Sequence, residues 1–426
     1  MKSVLKSILV LIMGNQVRRL RKLHSFKIIG VVGSIGKTST KLAIAKILES
    51  NKRVRYQEGN YNDTVSVPLV FFGQRMPSLW NIFAWLKIIL QNEVQIYFKY
   101  PFDIVVVELG TDGPGQIEQF RKYLHLNIAV LTAISAEHME FFGSLEKVAE
   151  EEWSVSFFSD LIFVNKDLCS ILPPNLDNKK IVFYGKDFGC LYKIENILKI
   201  KDGFSFNISE QGKIIISASY EAFSEVQLYS IGIAMILAKN FNLCEKDIKE
   251  SLNKIQSFSG RMQKLKGVKN SIIIDDTYNA SPESIKIALD ALYLQIATQR
   301  IAILGMMNEL GDISEIEHQK IGKYCNPKFL DLVVTIGKDA NAFLAPEAKK
   351  NGCQVYEAKN STEAGEWLVG KIKKEAVILA KGSQNGVFTE EALKPLLKDK
   401  SDFSKLVRQD KYWLTKKGLT LNQNRL

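Results

Sequence analysis

The sequence is poor in the residues that build disulfide frameworks and metal centres. It has five cysteines and four histidines in 426 residues, and no two cysteines form a CxxC pair. The histidines show neither HExxH nor HxxxH spacing. These absences exclude zinc-ribbon proteins and small disulfide-stapled domains, and they are typical of a protein of the reducing cytoplasm.

Long apolar runs are also absent. Residues 4–13 (VLKSILVLIM) form the most apolar stretch near the start, and ten residues are too few to span a bilayer. No small-residue cleavage site follows this stretch, and the main basic cluster lies after it. We therefore expect neither a signal peptide nor a membrane span, and we expect a cytoplasmic protein.

Acidic residues are missing from the first 27 residues, which hold seven of the lysines and arginines behind the net charge of +11. No basic stretch is interleaved with aromatics, so a nucleic-acid partner is not expected. Residues 1–25 predict a basic amphipathic helix. This helix either packs on the following domain, which we favour, or makes a peripheral contact with an anionic membrane surface.

What the sequence does contain is an alternation of short β-branched runs with amphipathic stretches, which favours parallel sheets covered by helices. The first series has candidate strands at 27–32, 104–108, 128–132, 161–164 and 181–184, and candidate helices at 38–50 and 144–158. Residues 192–220 then alternate with period two. Asp202-Gly203 and Gln211-Gly212 interrupt them and predict hairpin turns.

A second alternating series begins near residue 257. Its candidate strands are 271–274, 300–304, 332–336, 354–356 and 376–380, and its candidate helices are 283–294, 315–324, 362–373 and 390–397. We therefore predict two α/β domains, 26–256 and 257–426, with a boundary near 256–260. Residues 69–100 are interpreted as a long helical insertion, with a membrane-dipping segment as the lesser alternative.

The strand 27–32 runs directly into GSIGKTST (33–40), and a helix follows. Glycines let such a loop curl until its backbone N–H groups face a phosphate, and the helix N-terminus adds a favourable dipole. Lys37 is expected to reach the β- and γ-phosphates, and the Thr38 hydroxyl to bind Mg²⁺. The remaining candidate nucleotide-binding residues of the loop are Gly33, Ser34, Ile35, Gly36 and Ser39.

The form GxxGKT[ST] resembles the signature of the Mur ligases and their folylpolyglutamate synthase relatives. Further segments in the family's order are similar to the branch that adds D-alanyl-D-alanine to peptidoglycan precursors: NYNDTVSVP (60–68), ELGTDGPGQI (108–117), TAISAEHMEFFGSLEKVAEEE (132–152), GRM (260–262), DDTYNASPES (275–284), ILGMMNELG (303–311) and KGSQ (381–384). The resemblance covers roughly residues 26–400. It implies a central phosphate-loop domain with a parallel sheet, followed by a smaller Rossmann-like domain.

The resemblance also implies roles for individual residues. Lys37, His138 and Arg261 would be catalytic, and Thr38, Glu108, His138 and Glu152 would hold Mg²⁺. Asp276, Tyr278 and Asn279 would bind the adenosine part of ATP, and Lys381 and Ser383 the peptide. Carboxylate oxygens suit a hard cation, and a guanidinium forks onto phosphate oxygens. The alternatives are a solvent-facing acid for Glu108, a structural loop histidine for His138, a surface arginine for Arg261 and simple turn chemistry for Asn-Ala-Ser-Pro. For Lys381 and Ser383 the alternative is a strand-end loop without a substrate contact.

Several positions depart from the family's pattern. Only residues 1–26 precede the first predicted strand, so we expect the family's N-terminal domain, which holds the UDP end of the substrate, to be missing. Glu152 falls where the family has a carbamylated lysine, and its carboxylate would supply that anion directly unless Glu150–Glu152 form a solvated helix face. Gln227 and Ser230 replace two asparagines. Ser66 and Gly113 also depart from the usual residues.

The resemblance therefore implies an ATP- and Mg²⁺-dependent ligase that activates a peptide carboxylate as an acyl phosphate. The expected partners are a UDP-muramoyl peptide and D-alanyl-D-alanine, and we expect a monomer. Two alternatives remain: a sister ligase acting on another carboxylate, such as a folate or a different cell-wall peptide, and a nucleotide-binding scaffold without ligase activity.

Overall fold

Two β-sheets organise the chain, and its internal contacts divide it into two units. The computed structural model describes residues 2–59, 61–172, 180–255, 257–384 and 386–423, so Asn60 of the segment 60–68 and Gln256 of the predicted boundary lie outside the described residues. The first unit comprises Met1–Ser135, Phe141–Tyr220 and Glu225–Ile255. The second comprises Ala136–Glu140, Glu221–Ser224 and Gln256–Leu426.

The part of the chain before residue 256 alternates strands and helices. In chain order its elements are α1 (Lys2–Leu23), β1 (Lys27–Val32), α2 (Lys37–Leu48), β2 (Val54–Arg55), α3 (Val67–Phe72), α4 (Ile82–Tyr97), β3 (Ile104–Glu108), α5 (Gln116–Phe120), β4 (Leu126–Leu131), α6 (Met139–Phe142), α7 (Leu145–Trp153), β5 (Ser159–Asn165), β6 (Ile181–Gly185), β7 (Tyr192–Ile200), β8 (Gly203–Glu210), β9 (Lys213–Tyr220), α8 (Gln227–Asn240) and α9 (Glu245–Lys254). A 3-10 segment, Ser154–Phe158, extends α7.

The first sheet has nine strands in the order β2-β3-β1-β4-β5-β6-β7-β8-β9. The strands from β2 to β7 in this order are parallel, as predicted. β1 lies in the interior, with Val31 opposite Glu108 of β3 and Val32 opposite Leu131 of β4. The chain leaves β1 towards one side and later returns to the other, which makes the carboxyl end of β1 a switch point of the kind where open α/β sheets bind ligands.

The last three strands of this sheet confirm the predicted hairpins. β7 pairs with β8, and β8 with β9, in antiparallel register. The second turn contains Gln211 at φ 50° and Gly212 at φ 81°, and glycine adopts this left-handed region without strain.

The predicted long helical insertion at 69–100 is wrong in one respect, because it consists of two helices. α3 ends at Gly73, whose φ of 67° stops the helix, and Pro77 follows in the connection. α4 begins after Asn81, whose side-chain oxygen accepts the N–H of Ala84. α1 packs beside α4, with Leu9 and Met13 in the same apolar cluster as Trp85 and Ile88.

The second unit is built on another sheet. Its elements are β10 (Gln263–Lys266), β11 (Ile272–Asp276), α10 (Pro282–Tyr293), β12 (Arg300–Gly305), α11 (Ser314–Tyr324), β13 (Leu332–Ile336), α12 (Ala345–Lys350), β14 (Val355–Ala358), α13 (Ser361–Val369), β15 (Val377–Lys381) and α14 (Lys411–Gln423). The helix predicted at 390–397 is a 3-10 segment, Thr389–Leu396, and a π-helical turn, Ala340–Leu344, precedes α12.

The six strands of this sheet have the order β10-β11-β15-β12-β13-β14. All neighbours except β10 and β11 are parallel. β15 enters between β11 and β12, so Asp276 pairs in register with Lys381, the last residue of β15. Apolar clusters cover both faces of the sheet, as buried parallel strands require. The predicted fold class, two α/β domains with mainly parallel sheets, is confirmed.

Among the described residues, we find no helix that combines the length and the apolar character needed to cross a bilayer.

Candidate functional site

The phosphate loop of the first unit connects β1 directly to α2. Gly33 has a φ of 121° and Gly36 a φ of 86°, and α2 begins at Lys37 without a side-chain cap. A Cβ atom on Gly33 would lie 2.4 Å from Oγ1 of Thr132, so a side chain there would collide with the neighbouring strand end. The loop therefore leaves the first N–H groups of α2 to face an anion.

Lys37 is held against this loop. Its Nζ donates to the carbonyl oxygen of Gly33 and, at 3.4 Å, to that of Ser34. Ser34 is fixed in turn, because its hydroxyl donates to the Ser135 carbonyl and accepts the Ser135 N–H. The loop is thus tied to the end of β4, and the Lys37 cation lies among the backbone groups that would surround a phosphate.

Glu108 ends β3 next to the phosphate loop. Its Oε2 accepts the Thr38 hydroxyl at 3.0 Å and lies 3.2 Å from Nζ of Lys41. The side chains of Lys41 and Glu108 are only 2% and 5% exposed, so this is a buried ion pair, and each charge depends on the other. The alternative of a solvent-facing acid is therefore wrong. Two predicted magnesium ligands, Thr38 and Glu108, are brought together.

Lys41 was missed by the sequence analysis. In the sequence, Lys41 is marked only by its position one turn beyond Thr38 on α2. Leu42, Ile44 and Ile47 indicate that this helix is buried. Lysines on such helices usually point to solvent, so the pattern alone does not predict an ion pair with a residue 67 positions later on another strand.

Glu152 also reaches the phosphate loop. Its Oε2 accepts the N–H of Gly33 at 2.7 Å. Its neighbour Glu151 accepts the N–H groups of Gly115 at 2.5 Å and Ile117 at 2.6 Å, at the start of α5. Glu151 and Glu152 are buried, and only Glu150 is exposed. The alternative of a solvated acidic face is therefore wrong for these two residues.

His138 lies in the segment Ala136–Glu140, directly before α6, and this segment belongs to the second unit. It adopts a φ of 52°, and its Nδ1 lies 2.8 Å from Oε2 of Glu309, which also has a positive φ of 65°. The hydrogen bond from His138 lowers the pKa of Glu309. A positive φ is unfavourable for both His138 and Glu309. Their backbone conformations are therefore set by tertiary contacts and not by local preference.

Each of the four predicted metal ligands has a defined contact: Thr38 with Glu108, Glu152 with the Gly33 N–H, and His138 with Glu309. Among the described residues, no three or more His, Cys, Asp or Glu side chains are grouped to hold a metal ion. Magnesium sites that also use phosphate and water need only one or two protein ligands, so the Thr38–Glu108 pair meets this smaller requirement.

In the second unit, Arg261 and Tyr278 contact each other. The guanidinium carbon lies 3.9 Å from the centre of the tyrosine ring. The Tyr278 N–H donates to the Gly260 carbonyl at 3.1 Å, which joins the GRM segment to the DDTYNASP segment. The stacking orients a planar cation beside an aromatic ring.

Asp276 is engaged by its own unit. Its Oδ2 lies 2.5 Å from Nζ of Lys381, and its Oδ1 accepts the Met262 N–H at 3.1 Å. Lys381 also donates to the carbonyl of Asn279 at 3.0 Å, and its side chain is buried. Ser383 accepts the N–H of Asn308 at 2.9 Å. Lys381 thus fixes the segment 275–279 by binding both the Asp276 carboxylate and the Asn279 carbonyl.

Two of the positions that depart from the family's pattern have structural contacts. The Ser230 hydroxyl lies 2.8 Å from that of Thr40 in α2, within the first unit. Ser66 is buried, and its N–H donates to Oδ1 of Asp63 at 2.7 Å. Both serines therefore stabilise local structure near the phosphate loop and α3.

A buried cationic network in the second unit was also missed. Arg408 donates to both oxygens of Glu390, at 2.8 and 2.7 Å, and to the carbonyls of Thr277 at 2.6 Å and Tyr278 at 2.9 Å. Lys417 of α14 lies 2.8 Å from the same Glu390, which is completely buried. The contacts of Arg408 with Thr277 and Tyr278 span 131 and 130 residues, so no local pattern could have predicted them.

We expect Arg408→Met to lower the free energy of unfolding of the second unit by about 1–3 kcal/mol, because the carbonyls of Thr277 and Tyr278 would lose their donor. Glu390 would keep Lys417 as a charged partner. Urea unfolding of the purified proteins measures this. The control is Arg121→Met, since Arg121 is exposed and lies 3.8 Å from Glu118, a surface pair with a contribution of about 0–1 kcal/mol. Equal losses in the two variants would contradict the assignment.

Asp275 is a buried acid next to the candidate nucleotide residues. Its Oδ1 accepts the Thr277 hydroxyl at 2.6 Å and the Thr277 N–H at 3.1 Å, while Oδ2 has no hydrogen-bond partner among the described residues. Burial raises the pKa of Asp275 from 3.8 to about 6. The folded chain therefore keeps this proton at pH values where the unfolded chain has released it.

Because the folded pKa of Asp275 is raised, its contribution to stability is present below about pH 4 and is lost as the pH rises towards 6. We expect the stability of Asp275→Asn relative to the wild type to increase by about 3 kcal/mol across this window. Urea unfolding at a series of pH values measures the difference. Exposed Asp312→Asn serves as the control, and parallel curves for wild type and Asp275→Asn would refute the buried proton.

Comparison of the sequence and the fold with known proteins identifies related enzymes. The sequence profile of the Mur ligase middle domain matches residues 90–238, and that of the Mur ligase glutamate ligase domain matches residues 260–384. The UDP-N-acetylmuramoyl-tripeptide–D-alanyl-D-alanine ligase of Haemophilus influenzae is 27% identical over 390 residues, which cover 88% of this chain and 77% of the relative. The enzyme of that name from Bacillus subtilis is 27% identical over 380 residues, with 87% and 76% covered.

Solved structures agree on the fold. The MurF ligase of Thermotoga maritima in complex with ADP superimposes with a TM-score of 0.72 at 23% identity, covering 91% of this chain and 83% of the other. The Mycobacterium tuberculosis folylpolyglutamate synthase complexed with ADP and AMPPCP gives 0.63 at 14% identity, covering 92% and 94%. The two profiles together cover well over half of the 426 residues, in the family's order, and the chain belongs to the Mur ligase family.

Proposed function

We propose that this chain is an ATP-dependent, ADP-forming ligase that joins D-alanyl-D-alanine to a UDP-N-acetylmuramoyl-tripeptide in peptidoglycan precursor synthesis. The observation that carries the proposal is the phosphate loop, in which Gly33, Gly36 and Lys37 adjoin the paired Thr38 and Glu108. The choice of substrates is supported by the names of the curated relatives, which match along most of the chain.

The reaction has two balanced steps. A carboxylate oxygen of the tripeptide attacks the γ-phosphorus of ATP, and ADP leaves, which produces an acyl phosphate. The amine nitrogen of D-alanyl-D-alanine then attacks the acyl carbon, loses a proton, and inorganic phosphate leaves. The protein forms no covalent bond in either step, so its contribution is to align the reactants and to offset the phosphate charge.

The first unit supplies the phosphate-binding groups. The N–H groups of Ile35, Gly36 and Ser39 are proposed to bind the phosphates at the start of α2, where the helix dipole favours an anion. The Ser34 N–H already donates to the Ala133 carbonyl at 2.8 Å, so Ser34 is proposed to hold the loop in place. Lys37 donates to carbonyls of the loop itself, and its flexible side chain can transfer these contacts to the β- and γ-phosphates.

The donors of the Thr38–Glu108 pair fit Mg²⁺, because a hydroxyl and a carboxylate oxygen 3.0 Å apart are hard oxygen ligands. When bound, Mg²⁺ offsets charge on the phosphate oxygens. Lys41 pairs with the Glu108 carboxylate at 3.2 Å and fixes it at the strand end. His138 and Glu152 remain proposed ligands, with Glu152 attached to the loop through Gly33.

The second unit is proposed to contribute Arg261, Asp276, Tyr278 and Asn279. Stacking on Tyr278 holds the Arg261 guanidinium as a flat cation suited to a phosphate. The pairing of Asp276 with Lys381, together with the bond from Lys381 to the Asn279 carbonyl, fixes the backbone of the segment proposed to bind adenosine. We further propose a cytoplasmic location, since all five thiols are free.

The deciding experiment mixes the protein with ATP, UDP-N-acetylmuramoyl-tripeptide and D-alanyl-D-alanine and identifies products by mass spectrometry. The expected product is the UDP-linked pentapeptide together with equimolar ADP and phosphate. Phosphate release with a different amine or carboxylate would instead indicate a sister ligase. ATP binding without phosphate release for any acceptor would indicate a scaffold.

We expect Lys37→Ala to lower turnover by at least about 10²–10³-fold, since one cation aimed at the transferred phosphate is lost. Substrate-dependent phosphate release is the measurement. Lys46→Ala is the matched control, because Lys46 lies on the same helix, is half-buried and pairs with Glu49 away from the loop. Near wild-type turnover in Lys37→Ala would mean that the active site lies elsewhere.

We expect Glu152→Gln to depress turnover and to raise the Mg²⁺ concentration needed for half-maximal rate. The amide oxygen can still accept the Gly33 N–H, so the change removes the negative charge at nearly constant shape. Activity of the unmodified chain should not depend on added bicarbonate, because a carboxylate is already present. Exposed Glu150→Gln is the control, and normal Mg²⁺ dependence in Glu152→Gln would exclude a role in metal binding.

A further inference from the structure

Helices α1 and α4 form a pair on the surface of the first unit. The amide of Gln16 donates to the Ile89 carbonyl at 2.9 Å and accepts from Asn92 at 3.0 Å. Arg19 lies 2.9 Å from Glu93. Early residues of α1 contact early residues of α4, and late residues contact late ones, so the two helices run side by side in the same direction.

Each of these helices buries one face and exposes the opposite one. Leu9 and Met13 of α1 share a core with Trp85 and Ile88 of α4. Since both buried faces turn towards the same core, both exposed faces turn away from it together. The exposed faces form the apolar plate, which consists of Val4, Ile8 and Leu11 of α1 and Phe83, Leu90 and Val94 of α4.

The apolar plate is more than a scatter of exposed side chains. Phe83 is 86% exposed, Leu11 68% and Leu90 66%, and the six residues follow helical spacing along two adjacent helices. Single exposed apolar residues are common on soluble proteins, but a contiguous apolar face marks a surface that binds something.

Charge indicates what binds there. Arg18 and Lys22 continue the exposed stripe of α1 beyond Leu11, and Lys87 lies on the exposed face of α4. Residues 1–27 contain no acid, and residues 76–102 contain only Glu93. Glu93 is already paired with Arg19. An apolar face bordered by basic side chains is the pattern of helices that lie in the surface of an anionic membrane.

We propose that the apolar plate docks the chain onto an anionic lipid surface, with Phe83 and Leu90 entering the acyl boundary and Arg18 and Lys22 contacting phosphate headgroups. The contact is peripheral, because α1 buries its other face in the protein. A protein partner would instead need a matching apolar surface with acidic groups. This inference does not depend on the ligase activity.

The test is flotation of the full chain with vesicles of phosphatidylcholine, alone or mixed with phosphatidylglycerol. We expect binding to the mixed vesicles that weakens with salt. Phe83→Asp with Leu90→Asp should reduce it by about 100-fold or more, because apolar insertion is lost and charge is added. Arg18→Gln with Lys22→Gln should reduce it by about 30-fold and flatten the salt dependence.

The control is Phe188→Asp with Leu198→Asp, since these residues are 91% and 65% exposed in the same unit but lie outside the plate. It should bind vesicles like the wild type. Circular dichroism and phosphate release should be unchanged in all three variants, which separates docking from folding and activity. Deleting α1 is unsuitable, because it would uncover the core around Met13 and Trp85.

Three outcomes would overturn the proposal. The wild type could fail to bind mixed vesicles, or the Phe83/Leu90 variant could bind as well as the wild type. Alternatively, sedimentation could show a dimer that the Phe83/Leu90 variant abolishes while vesicles remain unbound. That last result would identify a second copy of the chain as the occupant of the plate.

Discussion

The buried carboxylate of Glu108 is the constraint on which the first unit's site depends. A charge at the end of an interior strand is destabilising unless partners compensate for the lost water. Lys41 and Thr38 provide this compensation from α2, at 3.2 and 3.0 Å. The same contacts fix the first turn of α2 relative to β3. The phosphate loop, which ends where α2 begins, is positioned as a result.

A second acid acts on the loop from the other side. Glu152 accepts the N–H of Gly33, the first residue after β1. Nζ of Lys37 donates to the carbonyl of the same glycine. Both backbone groups of one glycine are therefore bound by charged side chains. Such an arrangement keeps the loop in one conformation, because any other would leave a buried charge with fewer partners.

Much of the fold follows from local pattern. The buried strands 104–108 and 332–336 were predicted with their observed limits, since β-branched runs bounded by polar residues identify interior parallel strands. The hairpins followed from Asp202-Gly203 and Gln211-Gly212. The break between α3 and α4 was missed because apolar content outweighed Gly73 and Pro77, which mark the break. The candidate site was less predictable. Lys41, Glu309 and Arg408 act through partners distant in sequence, and only the folded chain brings them together.

The contacts of Arg408 with the backbone of Thr277 and Tyr278 have a consequence for biosynthesis. The two ends of this contact are separated by 131 residues. At about 5–20 residues per second, the ribosome needs roughly 7–26 seconds to travel from one to the other. During that interval the adenosine-binding segment proposed here has emerged without the guanidinium that holds its carbonyls. The second unit can therefore complete its packing only after Arg408 has been translated. A chain released before that point would leave the carbonyls of Thr277 and Tyr278 without this donor.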